Sequence, residues 1–222
     1  MPTRFSGDLT TRQLPLWEKL LLPLAGQPDL RFVEVGVFEG RTSCWLLQNV
    51  LTHPTARLTC IDIFKPFHYL PEPGHPEQET HVRDYEKTFD ANMAAIDAAE
   101  RVVKLKGNST HVLRTLPLYA YDMVYIDGSH ANRDALRDVV LGWDLLKTGG
   151  IMIMDDYGLD DPLMPDQKPK LAIDAFLASM EGEYALLAEK AFQVAVRKEH
   201  IWDLSRTPYF ELPRAFMGSP DA

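Results

Sequence analysis

The chain has 222 residues, 45% of them apolar and 25% charged, the make-up of a globular protein long enough to bury a sizeable core in one domain over 1–222. Its 23 basic and 32 acidic side chains leave a net charge of −9, which speaks against nucleic acid or an anionic membrane as the main partner. No apolar run approaches the roughly 20 residues that span a bilayer and no signal peptide is evident, so a cytoplasmic protein is expected.

Leu14, Trp17, Leu20, Leu21 and Leu24 recur at helical spacing and predict an amphipathic helix over 11–25, within an N-terminal cover spanning 1–28. Strands and helices then alternate. Strands are expected at Arg31–Val35, Arg57–Ile61, Arg101–Leu105, Tyr121–Ile126 and Ile151–Met154. Helices are expected at Thr42–Leu51, Val82–Ala98, Ser109–Thr115, 131–146 and Lys170–Met180, the fourth stopped by Gly149-Gly150. Cys44 and Cys60 fall in apolar segments and read as buried, reduced thiols.

This order implies an α/β fold: a doubly wound sheet of five parallel strands. Tyr184–Glu189 and Phe192–Lys198 lie too close in sequence for a crossover and must close the sheet as an antiparallel hairpin, making seven strands. The stretch 65–83, with Pro66, Pro71, Pro73, Pro76, His68, His75 and His81, reads as a lid-like loop. The tail, 199–222, carries Trp202, Tyr209, Phe210 and Phe216 and either wraps its own domain or reaches a second subunit in a homodimer.

Ligands of open α/β sheets bind outside the carboxyl ends of the strands. Those ends carry Gly36, Asp62, Gly107-Asn108, Asp127-Gly128 and Asp155-Asp156. Taken singly, each glycine reads as a turn and each Asp as a helix cap. Together they converge on one crevice. The first turn, Gly36 to Gly40, lacks the G-x-G-x-x-G spacing that brings backbone against a pyrophosphate, while Asp62 ends the second strand where a carboxylate accepts ribose hydroxyls. A nucleoside without a pyrophosphate fits this pattern better than a dinucleotide.

Glu34-x-Gly36-x-x-x-Gly40, Ile61-Asp62-Ile63, Gly107-Asn108-Ser109, Tyr125-Ile126-Asp127-Gly128-Ser129-His130, Gly149-Gly150, Asp155-Asp156 and the closing hairpin resemble a class I S-adenosylmethionine-dependent methyltransferase. The branch is the small bacterial O-methyltransferase-like group, similar to catechol and macrocin O-methyltransferases. The resemblance covers roughly 30–198 and implies a Rossmann-like sheet. It places Glu34, Gly36 and Gly40 beside the methionine part of the cofactor, Asp62 on the ribose and Asn108-Ser109 by the adenine. Ser43, Ile63 and Asp127 complete the implied cofactor contacts. Phe64 either packs on the purine or is a core aromatic.

Methyl transfer to a hydroxyl requires alignment and loss of the acceptor's proton. Asp127, Asp155 and Asp156 offer hard oxygen ligands for Mg²⁺, which lowers the pKa of a bound hydroxyl. Both members of the Asp155-Asp156 pair face a metal only if the chain turns there; otherwise one of them caps a loop. His130 is the candidate general base, with Asp127 beside it in the catalytic centre. The expected activity is methylation of a hydroxylated small molecule. The alternatives are a metal-independent methyltransferase using His130, a nicotinamide-dependent oxidoreductase and a non-catalytic nucleoside-binding module. Lys170 reads as a solvated first-turn lysine, as a screen for the acidic site or as a contact for substrate.

Overall fold

Residues 2–8, 10–65, 67–69, 81–159, 166–189 and 192–200 are described by the computed structural model, with 67–69 and 81–83 described by their backbone alone. The N-terminal helix forms in three consecutive pieces: a 3-10 turn Thr11–Gln13, α1 Leu14–Leu21 and a second 3-10 turn Leu22–Leu24. Pro15 and Pro23 occupy the first turns of the second and third pieces, where a missing N–H costs nothing and the preceding helix is interrupted.

The strands are β1 (Arg31–Val35), β2 (Arg57–Asp62), β3 (Phe67–Tyr69), β4 (His81–Arg83), β5 (Val102–Lys106), β6 (Tyr121–Ile126), β7 (Leu146–Met154), β8 (Tyr184–Glu189) and β9 (Val194–Lys198). The helices that follow α1 are α2 (Arg41–Asn49), α3 (Tyr85–Ala95), α4 (Ser109–Val112), α5 (Asn132–Leu145) and α6 (Pro169–Ser179). Seven strands form one sheet in the order β5-β2-β1-β6-β7-β9-β8. The first five are parallel, and β9 runs antiparallel between β7 and β8. The chain leaves β1 toward β2 and β5, then returns to β6 on the other side. The order therefore reverses beside β1, and a crevice opens at the carboxyl ends of β1 and β6.

Side chains alternate across the sheet and feed two cores. Phe32 and Tyr125 pack with Trp17, Leu47 and Phe89 on the face covered by α1, α2 and α3. Val33, Val35 and Val124 pack with Trp143 and Phe176 on the face covered by α5 and α6. Glu34 shares the Phe32 face by the same alternation, so its carboxyl enters an apolar layer.

Three local expectations are corrected. The stretch 65–83 is not all loop: β3 and β4 pair antiparallel with Phe67 opposite Arg83, and 70–80 lie outside the described residues. Val82 thus belongs to a strand, and α3 begins at Tyr85 behind the Asp84 N-cap, whose carboxylate accepts from the Lys87 N–H. Nor do Gly149-Gly150 stop α5, which ends at Leu145; β7 starts at once with the buried Leu146 and the glycines form an irregularity inside it. Gly149 has φ +83°, and a Cβ on Gly150 would lie 2.9 Å from the Lys147 carbonyl oxygen. Residues 201–222, the greater part of the tail, lie outside the described residues. Among the described residues no helix is long and apolar enough to cross a membrane.

Candidate active site

The turn after β1 is shaped by backbone contact. Gly36 has φ +82°, and a Cβ there would sit 1.9 Å from the carbonyl oxygen of Asp127, at the end of β6. Gly40, at φ +79°, is the N-cap of α2, and its Cβ would meet Phe89 and Met93 at 2.8 Å. Both positions require glycine for conformation and for space. Beneath the turn, Ser43 donates to the Glu34 carboxyl at 2.6 Å. Burial raises the Glu34 pKa to about 8, opposed by the Ser43 hydrogen bond and reinforced by the nearby Asp62 charge.

Asp62 organises the neighbouring loops. Its Oδ2 accepts from the Val37 and Phe38 N–H groups, both at 3.0 Å, and its Oδ1 accepts from the Phe64 N–H at 2.8 Å and the Tyr85 hydroxyl at 3.0 Å. These donors match the four lone-pair sites of a carboxylate. Ile63 is exposed beside it, while Phe64 is buried against Tyr85 and Phe89 as a core aromatic. At the end of β5, Asn108 caps α4, accepting from the Thr110 N–H at 3.1 Å. Asn108 also lines a cavity of about 510 Å³ rimmed by Arg114, Arg133 and Arg137.

Across the crevice the acidic residues separate into two groups. Strand β7 ends at Met154 and the chain turns at Asp156, φ +58°, as the Asp155-Asp156 pair requires. The two carboxylates then diverge. Asp156 reaches the His130 Nε2 at 2.9 Å, and ligand atoms of Asp127, His130 and Asp156 all lie within 4.8 Å of one another. Asp155 instead accepts from the Tyr125 hydroxyl, from Gln193 Nε2 at 3.1 Å and from Gln13 Nε2 at 3.3 Å. The Tyr125 oxygen also lies 3.2 Å from Asp127 Oδ2. Burial, then the charges of Asp155, Asp156 and Glu34, push the Asp127 carboxyl well above its ordinary range. The Asp156 hydrogen bond, opposed by burial, raises the His130 pKa.

A methyltransferase-domain family matches residues 33–157, from β1 through the turn after β7. The chain belongs to this family. The methyltransferase is also similar in fold to the O-methyltransferase TomG of Streptomyces achromogenes, involved in tomaymycin synthesis and solved in complex with SAM. There the identity is 19%, 84% of this chain and 78% of TomG are covered, and the TM-score is 0.59. An O-methyltransferase of Bacillus cereus in complex with SAH gives 15% identity, coverage of 87% and 84%, and a TM-score of 0.58. An rRNA methylase of Streptococcus thermophilus gives 10% identity, coverage of 86% and 99%, and a TM-score of 0.58. No curated protein matches the sequence. The fold is that of the class I S-adenosylmethionine-dependent methyltransferases, with the hairpin closing the sheet.

Several residues of the candidate site carry no motif. Gln13 and Gln193 enter it as hydrogen-bonding partners of Asp155, and Tyr85 as a partner of Asp62. Tyr125 opens the Tyr125–His130 segment, but its pairing with Asp155 is not legible there; strand alternation gives only its inward position on β6, two residues before Asp127. Lys170 is engaged within its own surroundings, 2.6 Å from the Tyr157 hydroxyl and 2.7 Å from Asp174 Oδ2. His68, His75 and His81 lie where no side chain is described.

Proposed function

We propose that this methyltransferase transfers the methyl group of S-adenosylmethionine to a hydroxyl of a small molecule, assisted by a divalent cation. The observation that carries the reading is the convergence of Asp127, His130 and Asp156 at the ends of β6 and β7, next to the Gly36 turn. S-adenosylmethionine supplies an activated methyl group. Glu34, Gly36, Gly40 and Ser43 shape the methionine end of its site, Asp62 with Ile63 the ribose, and Asn108-Ser109 the adenine. Because Asp62 already holds four donors, a ribose must exchange with at least one of them.

The donor set suits a hard cation. Carboxylates this close, one of them held toward its protonated form by burial and by the charges of the others, gain most from a positive charge among them. Asp127 and Asp156 would hold Mg²⁺, with Asp155 beside Asp156 in the chain; a cation bound there would lower the pKa of an acceptor hydroxyl. His130, on the rim of the crevice, takes the hydroxyl proton as the oxygen–carbon bond forms and the sulfur–carbon bond breaks. It can do so only when its imidazole is neutral, a condition that Asp156 works against.

One observation favours a second reading. The His130–Asp156 pair, at 2.9 Å, is already oriented as a base and its supporting carboxylate, which is enough for metal-independent transfer. The two readings separate in one experiment. Titration with S-adenosylhomocysteine tests the cofactor site, and a panel of phenols and sugars with labelled S-adenosylmethionine, with and without chelator, tests the chemistry. Loss of transfer in chelator, restored by Mg²⁺, is expected. Undiminished transfer in chelator removes the metal and leaves His130 alone; no binding of the cofactor product at millimolar concentration overturns both.

A further inference from the structure

The acidic group at the ends of β6 and β7 is joined to the N-terminal helix by a buried chain of hydrogen bonds. The Trp17 indole on α1 donates from Nε1 to Gln193 Oε1 at 3.0 Å, and Gln193 Nε2 donates to Asp155 Oδ2 at 3.1 Å. An indole nitrogen can only donate, so this contact decides which way the Gln193 amide faces: oxygen to Trp17, NH₂ to Asp155. Gln13, one turn before Trp17, presents its own NH₂ to the same carboxylate at 3.3 and 3.5 Å. The Asp156 N–H at 2.8 Å and the Tyr125 hydroxyl complete a shell made only of donors.

We propose that Trp17, Gln193 and Gln13 are positioning residues for this site: they hold the Asp155 carboxylate as an oriented acceptor, which through the Asp156 N–H fixes the turn that presents the Asp156 carboxylate to the cation. The inference rests on the metal-assisted reading above, and it makes α1 a working part of the site rather than only a cover. A structural role alone accounts poorly for the arrangement. Gln13 is 5% exposed, Gln193 1% and Trp17 1%. Leucines at 13 and 193 would fill the space without any desolvated amide, and buried polar groups carry a cost that packing does not require. The chain has a direction instead: each amide is turned so that its donors end on one carboxylate.

The test uses the full-length protein and Mn²⁺ as the probe ion, with S-adenosylhomocysteine present. Trp17→Phe keeps an aromatic ring and removes the N–H; Gln193→Leu removes the amide. Each is expected to weaken Mn²⁺ binding about tenfold, the usual effect of losing a hydrogen bond behind a ligand, while product affinity stays within about twofold. Because the two residues act in series, the double variant should be no weaker than Gln193→Leu alone. Unchanged Mn²⁺ affinity in a folded Trp17→Phe protein, or additive losses in the double variant, overturns the inference. If the wild type binds the cofactor product but no Mn²⁺, the metal reading falls by itself. The side-chain amide resonances of Gln193 in metal-free protein then decide the inference: a shift on both Trp17→Phe and Asp155→Asn sustains it, and amide signals indifferent to Trp17 overturn it. If Trp17→Phe does not fold, Gln193→Leu and Gln13→Leu carry the same titration.

Discussion

The carbonyl oxygen of Asp127 occupies the place where any side chain of residue 36 would begin, 1.9 Å from an ideal Cβ on Gly36. The Gly128 Cα stands 2.8 Å from the same point. Two ladder bonds clamp the contact: the Gly36 N–H donates to the Ile61 carbonyl and the Asp127 N–H to the Val35 carbonyl, both at 2.8 Å. The turn expected to receive the cofactor and the strand end expected to activate the acceptor are thus in backbone contact. Neither can move without the other.

Gly36→Ala should therefore be among the most damaging single substitutions in the protein. It adds left-handed strain, about 1–2 kcal/mol, to a collision with backbone that has no rotamer to escape into. We expect a loss of at least about 4 kcal/mol in denaturant unfolding, or no folded protein. Gly149→Ala is the control, since Gly149 has the same left-handed φ, +83°, but open space at its Cβ. It should cost only the strain. Equal losses in the two variants would show that space at position 36 is not what matters.

Asp138 offers a test by pH. Its carboxylate is fully buried on α5, and burial raises its pKa to about 6, opposed by a hydrogen bond from the Ser109 hydroxyl. Between the unfolded value, 3.8, and about 6 the folded protein binds the proton that the unfolded chain releases, so stability falls as pH rises through this window. Above it the penalty is complete, about 3 kcal/mol at most. Asp138→Asn removes the slope and should be the more stable protein at pH 7–8, the advantage fading toward pH 4. Glu34, raised to about 8, is common to both proteins and cancels in the comparison. Parallel stability curves for the two proteins would show that Asp138 does not carry the charge penalty.

The cysteines should be silent. Cys44 and Cys60 are buried, and burial with the nearby Glu34 charge pushes the Cys44 thiol up to about 12 and the Cys60 thiol well above its ordinary range. Only the thiolate reacts appreciably. A thiol reagent at pH 8 should label neither cysteine in the native protein and both after unfolding. Rapid native labelling would mean that α2 opens away from β2.

What was legible in the sequence followed a simple division. Parallel strands buried on both faces are short apolar runs bounded by turns, so β1 and β6 emerge at their observed limits, Arg31–Val35 and Tyr121–Ile126. Residues at strand ends also point where topology puts them, so the Gly36 turn and the Asp127–His130 segment are found by counting along the chain. Where a strand was missed or cut short, the local signal was weak. β3 and β4 are three residues each, too short for a period, and β7, expected only over Ile151–Met154, begins before two glycines that read as a stop. The divergence of Asp155 from Asp156 was illegible because its partners are not local. It depends on Gln13, 142 residues away, and Gln193, 38 away, and neither glutamine belongs to any local pattern.

The four donors on Asp62 lead to paired expectations. Asp62→Asn has nearly the same shape but a single acceptor oxygen, and it turns an NH₂ group toward backbone N–H groups of Val37, Phe38 or Phe64. At least one donor is then left facing another, which should cost about 2–3 kcal/mol of stability and most of the cofactor affinity. Tyr85→Phe acts in the opposite direction. The Tyr85 hydroxyl is the one side-chain donor among the four, and its proton, kept on the oxygen by burial and the Asp62 charge, competes with a ribose hydroxyl for Oδ1. Removing it lowers the exchange cost by roughly the net worth of one hydrogen bond to a charged group, about 1–2 kcal/mol, so S-adenosylhomocysteine should bind about tenfold more tightly by calorimetry. The loop after β2 should loosen at the same time, because the Lys65 N–H loses its acceptor on the Tyr85 oxygen. Weaker binding in Tyr85→Phe would show the reverse: that Tyr85 stays on Asp62 in the complex and that the ribose displaces the backbone donors instead.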